Sequence, residues 1–137
     1  MFRRVILSCI ICLTSTITTR AISADDQRAR EAAVQWLLTL DAGKYSQAYH
    51  EMPPRVRTAK GEENFVNWMK TRRAPFGQAR TRKFLRAVKT TKLLGSPDGN
   101  YQKIGFKTSF DRKKDGAEAL VLTNETGSWK VSGYKIY

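Results

Sequence analysis

The chain has 137 residues, of which 25 are Lys or Arg and 12 are Asp or Glu, giving a formal charge of +13. That length makes one domain with a single modest core, and a positive balance of this size favours anionic partners while saying nothing about fold. Both cysteines, Cys9 and Cys12, lie close to the N-terminus, which excludes a disulfide, a thiol nucleophile or a thiolate metal site from the rest of the chain.

Residues 1–23 read as a secretory signal peptide, and residues 24–137 as a single α+β domain. Arg3 and Arg4 form a positive n-region. Val5 to Leu13 is an apolar run of leader length, well short of the ~20 residues that a membrane span needs. Small residues at Ala21, Ser23 and Ala24 suit cleavage, so the mature chain is expected to begin at Ala24 or Asp25. Loss of Arg3, Arg4 and Arg20 with the leader lowers the charge from +13 to +10. The expected location is periplasmic or secreted. Export makes an anionic lipid, lipopolysaccharide or an acidic glycan the expected partner, with peripheral membrane contact, and makes nucleic acid an unexpected one.

From Asp25 the pattern is helical. Ala29, Ala33, Trp36, Leu37 and Leu40 recur on one face, with Asp25 and Asp26 at the N-terminus and Gly43 as the stop. Tyr45, Ala48, Tyr49 and Met52 repeat the spacing over a short helix that Pro53 and Pro54 must end. Arg55 to Lys60 reads as a basic connection with a turn of helix at Val56. A third helix follows Gly61, with Glu62 and Glu63 in its first turn and Phe65, Trp68 and Met69 on its buried face.

After Gly77 the pattern becomes extended. Turn signals at Ser96 to Gly99, Asp111 to Gly116 and Asn124 to Gly127 divide it into four strands, expected over Thr81–Leu94, Asn100–Phe110, Ala117–Thr123 and Ser128–Tyr137. Gln102, Ile104, Phe106, Thr108 and Phe110 alternate with Tyr101, Lys103, Gly105, Lys107 and Ser109, as in a half-buried antiparallel strand. The first strand is less regular: Arg82, Phe84, Arg86 and Val88 share one face by simple alternation, and Lys83, Leu85, Ala87 and Lys89 the other. Its inner face is not assigned by pattern. Trp129 and Tyr134 are expected to close the last strand against the helices. The predicted fold is thus three N-terminal helices packed on a four-stranded antiparallel sheet.

Several short segments in this order carry a resemblance: Asp41 to Tyr45 after the Trp-containing helix, Arg73 to Gly77, Pro97 to Tyr101, Phe106 to Phe110 and Gly127 to Tyr134. Together they resemble the exported domain-of-unknown-function family 4019 (DUF4019), over essentially the whole of residues 24–137. The resemblance implies a cone-shaped fold of the nuclear-transport-factor-2-like, cystatin-like kind, with helices wrapped against a bent sheet. It implies no reaction.

No catalytic constellation stands out. His50 is the sole histidine and reads as an ordinary helix-end residue. The chain has no Gly-rich phosphate loop and no nucleophile elbow, and no metal site or cofactor is expected. Glu118 reads as a structural partner for a Lys or Tyr on a neighbouring strand. The densest charge surrounds Pro75 and Gly77, and the expected anion-binding residues there are Arg72, Arg73, Arg82 and Arg86. Lys70, Arg72 and Arg73 equally suit the negative end of a helix dipole. The functional expectation is a non-catalytic binding module for an anionic envelope component or small ligand. The alternatives are a small isomerase-type or hydrolase-type enzyme using a cone pocket, and a structural or interaction protein. A titratable group with a polar partner inside the cavity would favour the enzyme.

Overall fold

Four helices precede four strands in the computed structural model, which describes residues 20–137. The leader features at Arg3, Arg4 and Val5 to Leu13, with both cysteines, lie outside the described residues. Helix α1 runs over Ala24–Asp41 and is capped by Ser23, whose Oγ accepts from the Asp26 backbone N–H at 3.1 Å. Asp25 and Asp26 add negative charge at the positive end of its dipole. The buried face is Ala29, Ala33, Trp36, Leu37 and Leu40, as the spacing requires. Burying Leu37 and Leu40 stabilises the fold by roughly 1.5–3 kcal/mol each.

Helix α2, Tyr45–His50, ends before Pro53, but the chain then forms a helix that the sequence reading treated as a connection. Helix α3 covers Pro54–Lys60, with Pro54 in its first turn. A proline that cannot continue one helix is well suited to begin the next, because its φ is already helical and its missing N–H would have no partner there. The count is therefore four helices, not three. Gly61, at φ +74°, separates α3 from α4, Glu62–Trp68.

Helix α4 widens into a π turn over Met69–Arg73 and tightens into a 3₁₀ turn over Ala74–Phe76. Met69 and Arg73 are both buried along this segment. Trp68, expected in the core beside Phe65 and Met69, is instead 36% exposed.

The sheet has the order β1-β2-β3-β4, all neighbours antiparallel: β1 Ala79–Thr90, β2 Tyr101–Phe110, β3 Lys113–Thr123 and β4 Lys130–Ile136. In β2 the expected face, Gln102 to Phe110 by twos, is buried. Gly116 is not a turn residue but lies within β3, since only Asp111 and Arg112 separate β2 from β3. A Cβ on Gly116 would come within 2.8 Å of the Phe110 ring and the Thr108 carbonyl.

The irregularity of β1 has a structural cause. Arg82 pairs with Thr108 and Phe84 with Phe106, but the register then shifts by one residue at Leu85, so that Arg86 pairs with Gly105 and Ala87 with Ile104. One extra residue reverses the facing of everything beyond it. Arg82, Phe84, Ala87 and Lys89 consequently share the face that α1 covers. There the Arg30 guanidinium lies 3.6 Å over the Phe84 ring, and Lys89 pairs with Asp26 at 2.7 Å. Arg86 and Val88 lie on the opposite face. Simple alternation, which grouped Arg82 with Arg86, is corrected by this bulge.

The core joins α1, α2 and α4 to β2, β3 and β4. Trp36 centres it, donating its indole N–H to the Ala48 carbonyl at 2.9 Å and meeting Phe65 and Tyr134 edge-on. Trp129 donates to Asp25 at 2.9 Å, so the last strand is fastened to α1 as expected.

Candidate functional site

Two clusters of cationic side chains lie on opposite faces of the sheet. The first surrounds Asp41, the last residue of α1. A carboxylate there faces the negative end of the helix dipole and α1 has no basic residue in its last turn, so its countercharges must come from elsewhere in the fold. The π segment brings Arg73, and β1 brings Arg82. Arg73 donates to Asp41 at 2.6 Å and to the Gly77 carbonyl at 2.9 Å, and its guanidinium lies over the Phe110 ring. Arg82 forms a two-pronged pair with Asp41, at 2.8 and 3.0 Å.

Arg82 also donates to Glu118 at 2.8 Å. Glu118 is fully buried and accepts in addition from the Thr108 and Tyr134 hydroxyls, each at 2.7 Å. Two guanidinium groups and two carboxylates thus form a neutral quartet that ties α1, the π segment and all four strands together. Burial would discharge Arg82, but the hydrogen bonds and charges of Asp41 and Glu118 outweigh it and hold the guanidinium firmly protonated. Burial, reinforced by the adjacent Glu118 carboxylate, pushes the Tyr134 hydroxyl well above its ordinary range.

The second cluster rims a groove of about 790 Å³ lined by strand residues and by residues of the α3–α4 region. Strand register sets one row of Arg86, Gly105, Ala119 and Lys135, and next to it a row of Val88, Lys103, Val121 and Gly133. Both rows lie on the face opposite to α1. Lys60, Asn64, Phe65 and Trp68 line the groove from the helical side. Met52, Met69, Ile104 and Leu120 also border it but are about 1% exposed, so they lie beneath its surface. The surface a ligand would meet is therefore a floor of Gly, Ala and Val, an aromatic edge at Trp68 and Tyr134, and the cations Lys60, Arg86, Lys103 and Lys135. None of the four pairs with a carboxylate among the described residues. No Asp, Glu or His lines the groove.

The structure separates the four arginines expected to act together. Arg73 and Arg82 belong to the buried quartet, 3% and 12% exposed at their side chains, and their guanidinium groups are occupied by Asp41 and Glu118. Arg72 is exposed beyond the groove, and Arg86 alone lines it. Lys103 stands in the sequence only in the polar phase of its strand, and that phase was the available signal; Lys135 was not singled out. Glu118 has the role expected of it, with Tyr134 as the partner on a neighbouring strand.

His50 sits on the surface, 3.1 Å from Glu62, which also accepts from the Ser46 hydroxyl. Serine and histidine both address the carboxylate rather than each other, so the trio joins α2 to α4 and activates no nucleophile. Among the described residues no group of three or more His, Cys, Asp or Glu is placed to hold a metal ion, and no helix is long and apolar enough to cross a membrane. The family model described as "Protein of unknown function (DUF4019)" matches residues 32–134. No curated protein matches the chain.

Proposed function

The chain belongs to the DUF4019 family of proteins of unknown function, and from the chemistry of its groove we propose a non-catalytic binding module for an anionic ligand. One observation carries this reading: the charged lining of the groove consists of Lys60, Arg86, Lys103 and Lys135, with no acidic side chain to neutralise them. Cations left unpaired around a concave surface attract anions and can hydrogen-bond them directly. An isomerase-type or hydrolase-type reading needs an acid or base facing the substrate. Tyr134 lines the groove and has Glu118 as a polar partner, but its hydroxyl is donated to that buried carboxylate, both of whose oxygens already accept, so the pair turns no acid or base toward a ligand.

The finer description of the fold, a cone of the nuclear-transport-factor-2-like kind, belongs to the same proposal and is supported by the packing of α1 against one face of an open sheet. So does export to the periplasm or beyond, supported by the leader pattern of residues 1–23. An anionic lipid, lipopolysaccharide or an acidic glycan is then the partner class, now assigned to Arg86, Lys103 and Lys135 rather than to Arg72, Arg73 and Arg82.

The test is binding of phosphatidylglycerol vesicles and of heparin by the parent and by the triple variant Arg86→Gln, Lys103→Gln, Lys135→Gln. Parent binding should weaken steeply as salt shortens the screening length to ~8 Å at physiological strength, and the variant should bind little at any salt. Equal binding by parent and variant at low and physiological salt would overturn the proposal.

A further inference from the structure

The glycines of the groove floor are not explained by the protein itself. Gly105 and Gly133 sit inside strands, where glycine weakens the sheet because it packs no side chain and loses the most chain freedom on folding. Each lies beside a register shift, yet neither has the positive φ that would demand glycine. Neither is crowded. A Cβ on Gly105 would meet Arg86 Cγ at 3.9 Å, and one on Gly133 would meet Val121 at 3.6 Å, both ordinary contacts. Gly116 is the contrast, because there a Cβ collides with Phe110. The space above Gly105 and Gly133 is therefore open and would accept a side chain.

Beside that strip Val88 is 48% exposed, and Trp68, packed edge-on against Tyr134, still leaves 36% of its surface open. The groove volume is within the usual range for a small-molecule site, ~300–1,000 Å³. Crossing from β1 to β4 spans about 14 Å at ordinary strand spacing. A purely polar anion would leave this floor unused.

We propose that the groove seats a single-chain amphiphile, a monoacyl carboxylate or equivalent anion. Its chain lies over Gly105, Ala119 and Gly133 toward the β4 edge, and its head pairs with Arg86 and Lys103. This rests on the reading of the groove as an anion site and adds the acyl chain to it. Aliphatic stems of the surrounding lysines can cover the chain while their ammonium groups stay in water.

The experiment is isothermal titration calorimetry of the full chain with oleate below its micellar concentration, with acetate and with heparin. Oleate should bind far more tightly than acetate. Gly105→Val and Ala119→Leu, each confirmed as folded by its thermal transition, should weaken oleate by about tenfold or more while leaving heparin binding unchanged. Arg86→Gln with Lys103→Gln should weaken both. If oleate binds no better than acetate, or if both floor variants bind it like the parent, the acyl inference is wrong even where heparin still binds through Arg86 and Lys103. If the cation variant changes neither ligand, the anion-site reading fails with it.

Discussion

The two faces of the sheet use the same residue types to opposite ends. On the face covered by α1, Arg73 and Arg82 meet Asp41 and Glu118, lose their exposure and become part of the core. On the other face Arg86, Lys103 and Lys135 meet no carboxylate and stay available. Nothing in the local sequence of Arg82 and Arg86 separates them; the Leu85 register shift does. A basic run is thus a statement about total charge, and its division into structural and binding cations depends on acids that arrive from far along the chain.

The sharpest way to break that division is Glu118→Ala. It leaves Arg73 and Arg82 to share the single carboxylate of Asp41, one buried positive charge in excess, and strips two hydroxyls of their acceptor, and should cost about 3–5 kcal/mol in chemical denaturation. Lys103→Gln on the opposite face should move stability by no more than about 0.5 kcal/mol. Next in size is Tyr134→Phe, which removes a hydrogen bond to a charged acceptor and should cost roughly 1.5–3 kcal/mol.

That variant also carries a pH signature. Because the folded state raises the Tyr134 pKa above its ordinary 10.0, its contribution is fully present below pH ~10 and is lost progressively as the solution becomes more alkaline. Stability of the parent should therefore fall in that range more steeply than stability of Tyr134→Phe. A parallel decline of the two would show that the hydroxyl is not held as described.

Glycines offer a finer comparison. Gly116→Ala should cost about 1–3 kcal/mol by overpacking against Phe110. Gly105→Ala should be neutral or stabilise by up to ~1 kcal/mol, as a strand glycine without a conformational need gives way to alanine. Equal thermal midpoints for the two variants would erase the distinction between a glycine required by packing and one kept for clearance.

Much of the fold was legible because it rests on short-range periodicity. The α1 face, the alternation of β2 and the order of four strands follow from spacing alone. Helix α3 was missed because Pro53 and Pro54 announce an ending more loudly than they announce a beginning. The Leu85 bulge and the π turn after Trp68 each change facing without a local marker, and they decided which arginines belong to the site. Glu118 was recognisable as a structural acid because it is a lone charge among apolar residues. Its partnership with Arg82 spans 36 residues, and that of Arg73 with Asp41 spans 32, distances at which sequence pattern carries no information. The groove floor was legible only as small residues whose purpose becomes visible once their neighbours are in place.

The Ser23 cap bears on how an exported form would be trimmed. A cut between Ser23 and Ala24 would discard the hydroxyl that caps α1 and put a new α-ammonium group at the positive end of the helix dipole. Losing such a cap costs ~1 kcal/mol, and the added charge works in the same direction. A cut after Ala24, the other expected site, would remove the first residue of the helix as well. Under export, the peptidase would thus choose between two proteins of nearly equal length and unequal helix stability, a difference that N-terminal sequencing paired with a melting curve would reveal.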